Sequence, residues 1–348
     1  MKRLSALFVL VFFLLLYIIS SNELLMKSFY GFKSNLNSLF APDRHRFGDL
    51  YGLSYLSSFK QELSSDSLKV QIKKPFCSNK NINFCLVHDS YLGEQFLKSK
   101  NQLMGIDTIY DHTWDGYWKT KPIKLDTSKL NILLFEIVER NLLSLDSTVG
   151  LNVVKINQQN KPEKSIFNRI KQKTKDFLFN QKINTNLDYL LFDTQIFSPF
   201  KELKSYINYI FFERTAQEVI LSSNKKYLFL SETKQSVENK IPKDKINNTV
   251  KLLNAMYSYY KNKGFNKIYC SIIPNPISII KPDCNKYNEL IPSVQNNPDL
   301  KMPMIDIYTI FKNANFDIFY HSDSHWNKNG FQLWLNEFNS ILCNVHKN

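Results

Sequence analysis

Apolar residues recur along the chain with two different periods. Short apolar runs bounded by polar residues occupy Ile82–Val87, Ile106–Tyr110, Asn131–Val138 and Lys267–Ile273, and each predicts a strand. Asn131–Val138 (NILLFEIV) is continuous enough to be buried on both faces, as in the middle of a parallel sheet. Leu187–Phe192, Lys226–Leu230 and Phe316–Tyr320 predict shorter strands. Gly93–Gly105, Leu203–Leu221, Ile246–Lys263 and Gly330–Val345 predict helices. In Ile246–Lys263 the residues Val250, Leu253, Met256 and Tyr260 recur on one side, and Gly264 is the stop. Strands alternating with helices predict a layered α/β fold with a mostly parallel central sheet.

The N-terminal pattern is different. Met1, Lys2 and Arg3 precede an uncharged, strongly apolar run from Leu4 to Asn22. At about 1.5 Å per residue, a helix of this length crosses the hydrocarbon core of a bilayer. The basic end is expected to stay cytoplasmic and the rest of the chain to lie outside, in the periplasm. Ile19-Ser20-Ser21-Asn22 is a poor cleavage site, so residues 1–23 read as a single-pass signal anchor of the inner membrane. A cleaved signal peptide and a secreted product are the alternative. Residues 24–79 form a mixed N-terminal extension, and 80–348 the α/β domain, interrupted by a basic connecting insert at 145–186. Within that insert, 155–182 carries eight Lys/Arg against two Asp/Glu with apolar residues interleaved. It reads as a solvated connecting helix, or as one lying on a membrane or an anionic polymer.

Composition narrows the classes. The chain has 348 residues, 43% apolar and 22% charged, enough for a packed core and unlike a disordered chain or a coiled coil. It has only 9 glycines and neither GxGxxG nor GxxxxGK[ST], so no nucleotide cofactor is expected. The net charge is +14, but the lysines are scattered and no zinc-finger, RRM or helix-turn-helix signature accompanies them, so nucleic acid is not an expected partner. The five cysteines, Cys77, Cys85, Cys270, Cys284 and Cys343, lack metal-ligand spacing, and no metal is expected. Cys77 and Cys85 are near enough in sequence to bridge in an oxidising compartment. Cys85 and Cys270 lie in apolar runs and read as core.

In a parallel α/β sheet, ligands collect at the carboxyl ends of strands. Those ends carry His88-Asp89-Ser90, then Asp111-His112-Thr113-Trp114, then Glu139-Arg140-Asn141, then Asn275, and finally Asp323-Ser324-His325-Trp326. Ser90 sits at a strand-to-helix turn, where backbone N–H groups can hold an oxyanion; a lone serine there is more often a cap. Asp323 and His325 change that balance. A serine needs a base to take its proton, and the base needs a carboxylate to orient it. The 111–114 segment offers a second, lower-ranked base, His112. Trp114 and Trp326 read either as core or as stacking faces for a sugar ring.

Asp89-Ser90, then Asn141, then Asp323-Ser324-His325-Trp326 before the last helix resembles the block order of SGNH hydrolases. YHSDSHWNKNGF (320–331) is similar to the Asp-x-His-Trp…Gly motif of the alginate O-acetyltransferase family, and LFEIVERNL (134–142) resembles a segment of the same proteins. In that family the Asp-x-His segment usually precedes the serine segment. Here the order is reversed, as in a circular permutation with 145–186 at the joint. The resemblance implies a three-layer α/β/α SGNH-like domain that transfers acyl groups, chiefly acetyl, to hydroxyls of an exported or cell-surface polysaccharide. Its nucleophile, base and orienting carboxylate would be Ser90, His325 and Asp323. Arg140, Asn141, Trp114, Trp326 and Asn275 are the candidates for oxyanion or substrate contacts, with the acyl donor supplied by a membrane protein or by a glycan. The alternatives are an esterase with the same triad and a non-catalytic glycan-binding or assembly protein. The chain departs from the pattern in carrying His88-Asp89-Ser90-Tyr91 rather than Gly-Asp-Ser, and Pro276 where relatives often have lysine.

Overall fold

The computed structural model describes residues 2–22, 25, 26, 28, 29, 44–63, 81–92, 103, 105–114, 125, 128–145 and 183–345. The expected helix at 93–105, the basic segment 155–182 and Cys77 lie wholly or mainly outside them. The chain divides into two compact units, Met1–Leu63 with Gln159–Ala216, and Ser64–Gln158 with Gln217–Asn348.

The first unit is helical. Helix α1 (Lys2–Ser21) is long and apolar enough to cross a membrane, with a mean hydropathy of 2.6 over Leu4–Ser21. Its C-terminal end packs on helix α2 (Ile183–Phe192), where Asn186 Nδ2 donates to the Ser20 carbonyl at 2.6 Å. Leu187–Phe192 is therefore the second half of a helix and not a strand. Helix α3 (Ser198–Phe212) follows, with Pro199 in its first turn. It ends nine residues before Leu221, because Glu213 takes a left-handed C-cap at φ 51°.

The second unit holds a five-stranded parallel sheet of β1 (Ile82–His88), β2 (Ile106–Thr113), β3 (Leu130–Val138), β6 (Lys267–Ile273) and β7 (Met304–Ile305), in the order β2-β1-β3-β6-β7. β4 (Val219–Leu221) and β5 (Leu228–Leu230) form a separate antiparallel hairpin. Successive strand residues face opposite sides. Phe84 and Leu86 of β1 and Ile132 and Leu134 of β3 join Trp334, Phe338 and Leu342 of the last helix, α5 (Lys328–Val345). Cys85, Val87, Leu133 and Phe135 instead join Val250, Leu253, Met256 and Tyr260 of α4 (Lys243–Asn262). Each such side chain, buried to about the last few per cent, contributes roughly 1.5–3 kcal/mol of transfer free energy. Cys85 and Cys270 are core residues as expected; they are free thiols, as are Cys284 and Cys343, and burial pushes the Cys85 and Cys270 thiols up.

Two strand expectations are corrected. β2 continues through Asp111, His112 and Thr113, because an edge strand tolerates polar residues on its open side. Phe316–Tyr320 is no strand: it makes one isolated bridge, Phe319 to Trp326, and the sheet's other edge is the short β7. The strand order matters for function. From β1 the chain goes out to β2 and then crosses back to β3 on the other side of β1, which opens a crevice at the carboxyl ends of β1 and β3.

Candidate active site

Ser90 stands in that crevice. It opens a single 3-10 turn, Ser90–Leu92, directly after β1, and is exposed. Asp89 makes the turn. Its Oδ1 accepts the Tyr91 N–H at 3.2 Å, its Oδ2 accepts the Val138 N–H at the end of β3 at 2.8 Å, and its own N–H donates to Glu136 Oε2 at 2.9 Å. The nucleophile candidate is thus held between two adjacent strand ends. The first N–H groups of a helical turn have no acceptor within the turn, which makes the Ser90 N–H a candidate anion donor.

One hydrogen bond joins Ser90 to the loop before α5, and two more fix His325 to Asp323 within that loop. His325 Nε2 lies 2.9 Å from Ser90 Oγ, and His325 Nδ1 lies 2.7 Å from Asp323 Oδ1. The same Asp323 oxygen accepts the His325 N–H at 2.9 Å. A carboxylate on Nδ1 fixes the tautomer that leaves Nε2 free to accept the serine proton. His112 is buried within β2, so His325 is the histidine that meets Ser90.

The loop is held from several sides. Tyr91 Oη donates to the Ser324 carbonyl, and the Tyr91 ring lies 4.8 Å from that of His325. Asn327 caps α5: its Oδ1 accepts the Asn329 and Gly330 N–H groups at 2.8 and 3.2 Å. Its Nδ2 reaches back to the carbonyls of Asp317 and Phe319. The cap is thus Asn327, not Asp323 or Ser324, which leaves Asp323 to His325. Gly330 lets the helix approach the loop, since a Cβ there would lie 2.4 Å from the Ile318 carbonyl oxygen and 2.8 Å from Trp326 Cβ. Below the loop, Tyr227 Oη donates to Asp317 at 2.5 Å, and this bond holds the Asp317 carboxyl below its usual range.

The remaining candidates separate. Trp326 is 0% exposed, packed among Tyr91, Phe311, Phe331 and Trp334, and offers no face to a sugar. Asn275 is also fully buried; its N–H donates to Glu139 and its Nδ2 to Ser236, so it is structural rather than a substrate contact. Trp114 is half-buried, stacked on Phe135 with Nε1 donating to the Glu136 carbonyl. Arg140 and Asn141 lie in the four-residue helix Glu139–Leu142 that follows β3, at the same carboxyl end of the parallel strands as Ser90. Arg140 pairs with Glu232 through Nε at 3.2 Å, while its Nη1 is buried without a hydrogen-bond partner. Asn141 is exposed, and neither residue hydrogen-bonds Ser90.

Two groups escaped the sequence reading. Glu136 lies behind Asp89 in the middle of β3, fully buried. Burial, and then the Asp89 carboxylate, push its carboxyl well above the usual range, against the opposing pull of the Asp89 N–H. A single charge inside NILLFEIV was its signal. His88 is buried at the end of β1 with Nε2 2.8 Å from Asp111. Burial lowers its pKa, but the bond to Asp111, with help from the Asp89 carbonyl, outweighs burial and holds the imidazolium above its ordinary value.

No protein-family model matches the chain, and neither a curated protein nor a solved structure gives a significant match.

Proposed function

We propose that the chain is a serine-dependent acyltransferase that moves acetyl groups to hydroxyls of an exported or cell-surface polysaccharide. The observation that carries this reading is the relay from Asp323 Oδ1 to His325 Nδ1 (2.7 Å) and from His325 Nε2 to Ser90 Oγ (2.9 Å). His325 takes the Ser90 proton, Ser90 Oγ attacks the acyl carbonyl, and the donor leaves with the proton held by His325. A sugar hydroxyl then attacks the acyl-serine, with His325 again as base. The Ser90 N–H is the first oxyanion donor, and Arg140 and Asn141, which follow β3, are the candidates for the second. The parallel sheet with its serine at the β1/β3 crevice suits an SGNH-like fold. α1 would anchor the chain in the inner membrane with the α/β unit in the periplasm. No cofactor takes part in this scheme.

One observation favours an esterase instead: Ser90 is exposed, so water has access to an acyl-serine. The test is the acyl state of Ser90. The full chain in detergent is mixed with an activated acetyl ester and examined by mass spectrometry, beside Ser90→Ala and His325→Ala. An adduct on Ser90 of the wild type only, passed to an added acetyl-acceptor oligosaccharide rather than released as acetate, is the expected result. Acetate release that ignores the oligosaccharide would favour the esterase. A folded protein that never labels would overturn both.

A further inference from the structure

Helix α3 is inverted relative to a helix on the surface of a soluble domain. Its polar side chains are the ones that hold it to its own unit. Glu202 Oε1 accepts from Tyr51 Oη and from Lys60 Nζ, Lys201 Nζ donates to Tyr55 Oη at 3.2 Å, and Ser205 Oγ donates to the Ser54 carbonyl at 2.7 Å. Its apolar side chains face out. Phe200, Leu203, Ile207, Ile210 and Phe211 are all exposed, Phe200 at 69% and Phe211 at 73%. Their spacing of 3, 4, 3 and 1 residues along the helix puts them on one stripe, with Lys204 the charged residue beside it. A stripe of this kind, in a helix whose polar face is already used, needs apolar surroundings.

The same unit says which surroundings. α2, directly before α3 in the chain, packs on the C-terminal end of α1, and Ser20 and Ser21 at that end are buried. α2 has 10 residues, which is about 15 Å. The start of α3 is therefore tied, by one short helix and a five-residue link (193–197), to the place where α1 would leave a bilayer. Among the described residues of this unit, the other extended exposed apolar surface is α1 itself. We propose that α3 lies in the outer interface of the membrane that α1 crosses, its aromatic stripe among the lipid acyl chains, as a second point of attachment. This rests on the reading of α1 as a membrane anchor. Two attachments would hold the unit at a set tilt, where a single spanning helix lets it swing.

The test places one photoreactive phenylalanine analogue, p-benzoylphenylalanine, at Phe12, Phe211 or Phe316 of the full chain. Each variant is reconstituted in bilayer discs of phosphatidylethanolamine and phosphatidylglycerol and irradiated, and adducts are identified by mass spectrometry. Phe12 reports on α1, and Phe316 is an exposed phenylalanine of the α/β unit. Lipid adducts at Phe12 and Phe211, several-fold above Phe316, are expected. Lipid at Phe12 with none at Phe211 overturns the inference while the anchor stands. No lipid at Phe12 overturns the anchor reading, and the inference with it. Adducts of Phe211 to protein, whether a second copy or another segment of the chain, would overturn the inference too, as would equal lipid labelling of Phe211 and Phe316.

Discussion

Ser90 and His325 are 235 residues apart in the chain, and their side chains meet at 2.9 Å. One opens the turn after the first strand and the other precedes the last helix, so their meeting depends on the whole α/β unit having closed around its sheet. Asp323 is the member of the relay that touches no reacting atom. If the acyltransfer reading is right, Asp323→Asn keeps the loop but offers Nδ1 the wrong partner. We expect kcat on an activated acetyl ester to fall by about 10,000-fold with KM little changed. A loss below about tenfold would remove Asp323 from the chemistry.

Glu136 carries the clearest pH signature. It holds its proton more tightly when folded than in the unfolded chain, where the ordinary value of 4.5 applies. For an acid with a raised folded pKa, the native state binds the extra proton, so stability falls as pH rises from about 4.5 through the raised value. Glu136→Gln keeps an oxygen for the Asp89 N–H and carries no charge. Its stability should be flat across the window in which the wild type declines, as measured by urea unfolding at a series of pH values. A parallel decline in both proteins would assign the slope to other groups.

His88 changes stability in the same direction, through a gained charge pair rather than a buried neutral acid. Its folded pKa is raised above 6.5 by Asp111, so the pair stabilises fully below about pH 6.5 and is lost as pH rises through the folded value. Asp111→Asn should cost about 1 kcal/mol at pH 6 and much less at pH 9. Equal costs at both pH values would show that charge is not the reason.

Gly330→Ala tests the seating of the loop. A methyl group at 2.4 Å from the Ile318 carbonyl must push the loop or the helix start aside. We expect a loss of about 1–3 kcal/mol and a matching fall in activity, read from thermal unfolding and from the ester assay. Unchanged stability and activity would mean that the helix start yields freely.

Trp326 separates core from sugar platform. Trp326→Ala should destabilise by about 3–5 kcal/mol. Trp326→Phe, if folded, should leave KM for an oligosaccharide unchanged, because the indole has no exposed face. A rise in KM for Trp326→Phe alone would contradict its burial.

The parts legible from sequence were those in which one residue type repeats one environment. β1, β3 and β6 are continuous apolar runs with helices on both faces, and Val250, Leu253, Met256 and Tyr260 mark the buried side of α4. Leu187–Phe192 failed because six apolar-rich residues carry no usable period, and the residues before them, Ile183–Asn186, are what complete the helix. Phe316–Tyr320 failed because Ile318 and Phe319 enter the core while the Asp317 and Phe319 carbonyls are taken by Asn327, a side chain that stands in for a neighbouring strand. At the site, Asp323 and His325 were readable since their spacing is local. Trp326 and Asn275 were not, because strand-end position alone does not tell an inward side chain from an outward one. Glu136 was visible as an oddity in an apolar run, but its meaning needed the register that sets β3 beside Asp89.

The double grip of Asp323 Oδ1 on the backbone and the ring of His325 makes those residues one rigid piece. Any sliding of the last helix against the first strand then leaves the acid–imidazole pair intact and is felt at the joints to the turn after β1, the gap to Ser90 and the Tyr91–Ser324 bond. Such a site has a built-in clutch. Under the acyltransfer reading, strain on the C-terminal segment would disengage turnover before it denatured anything, so loss of acylation should precede loss of ellipticity on mild heating.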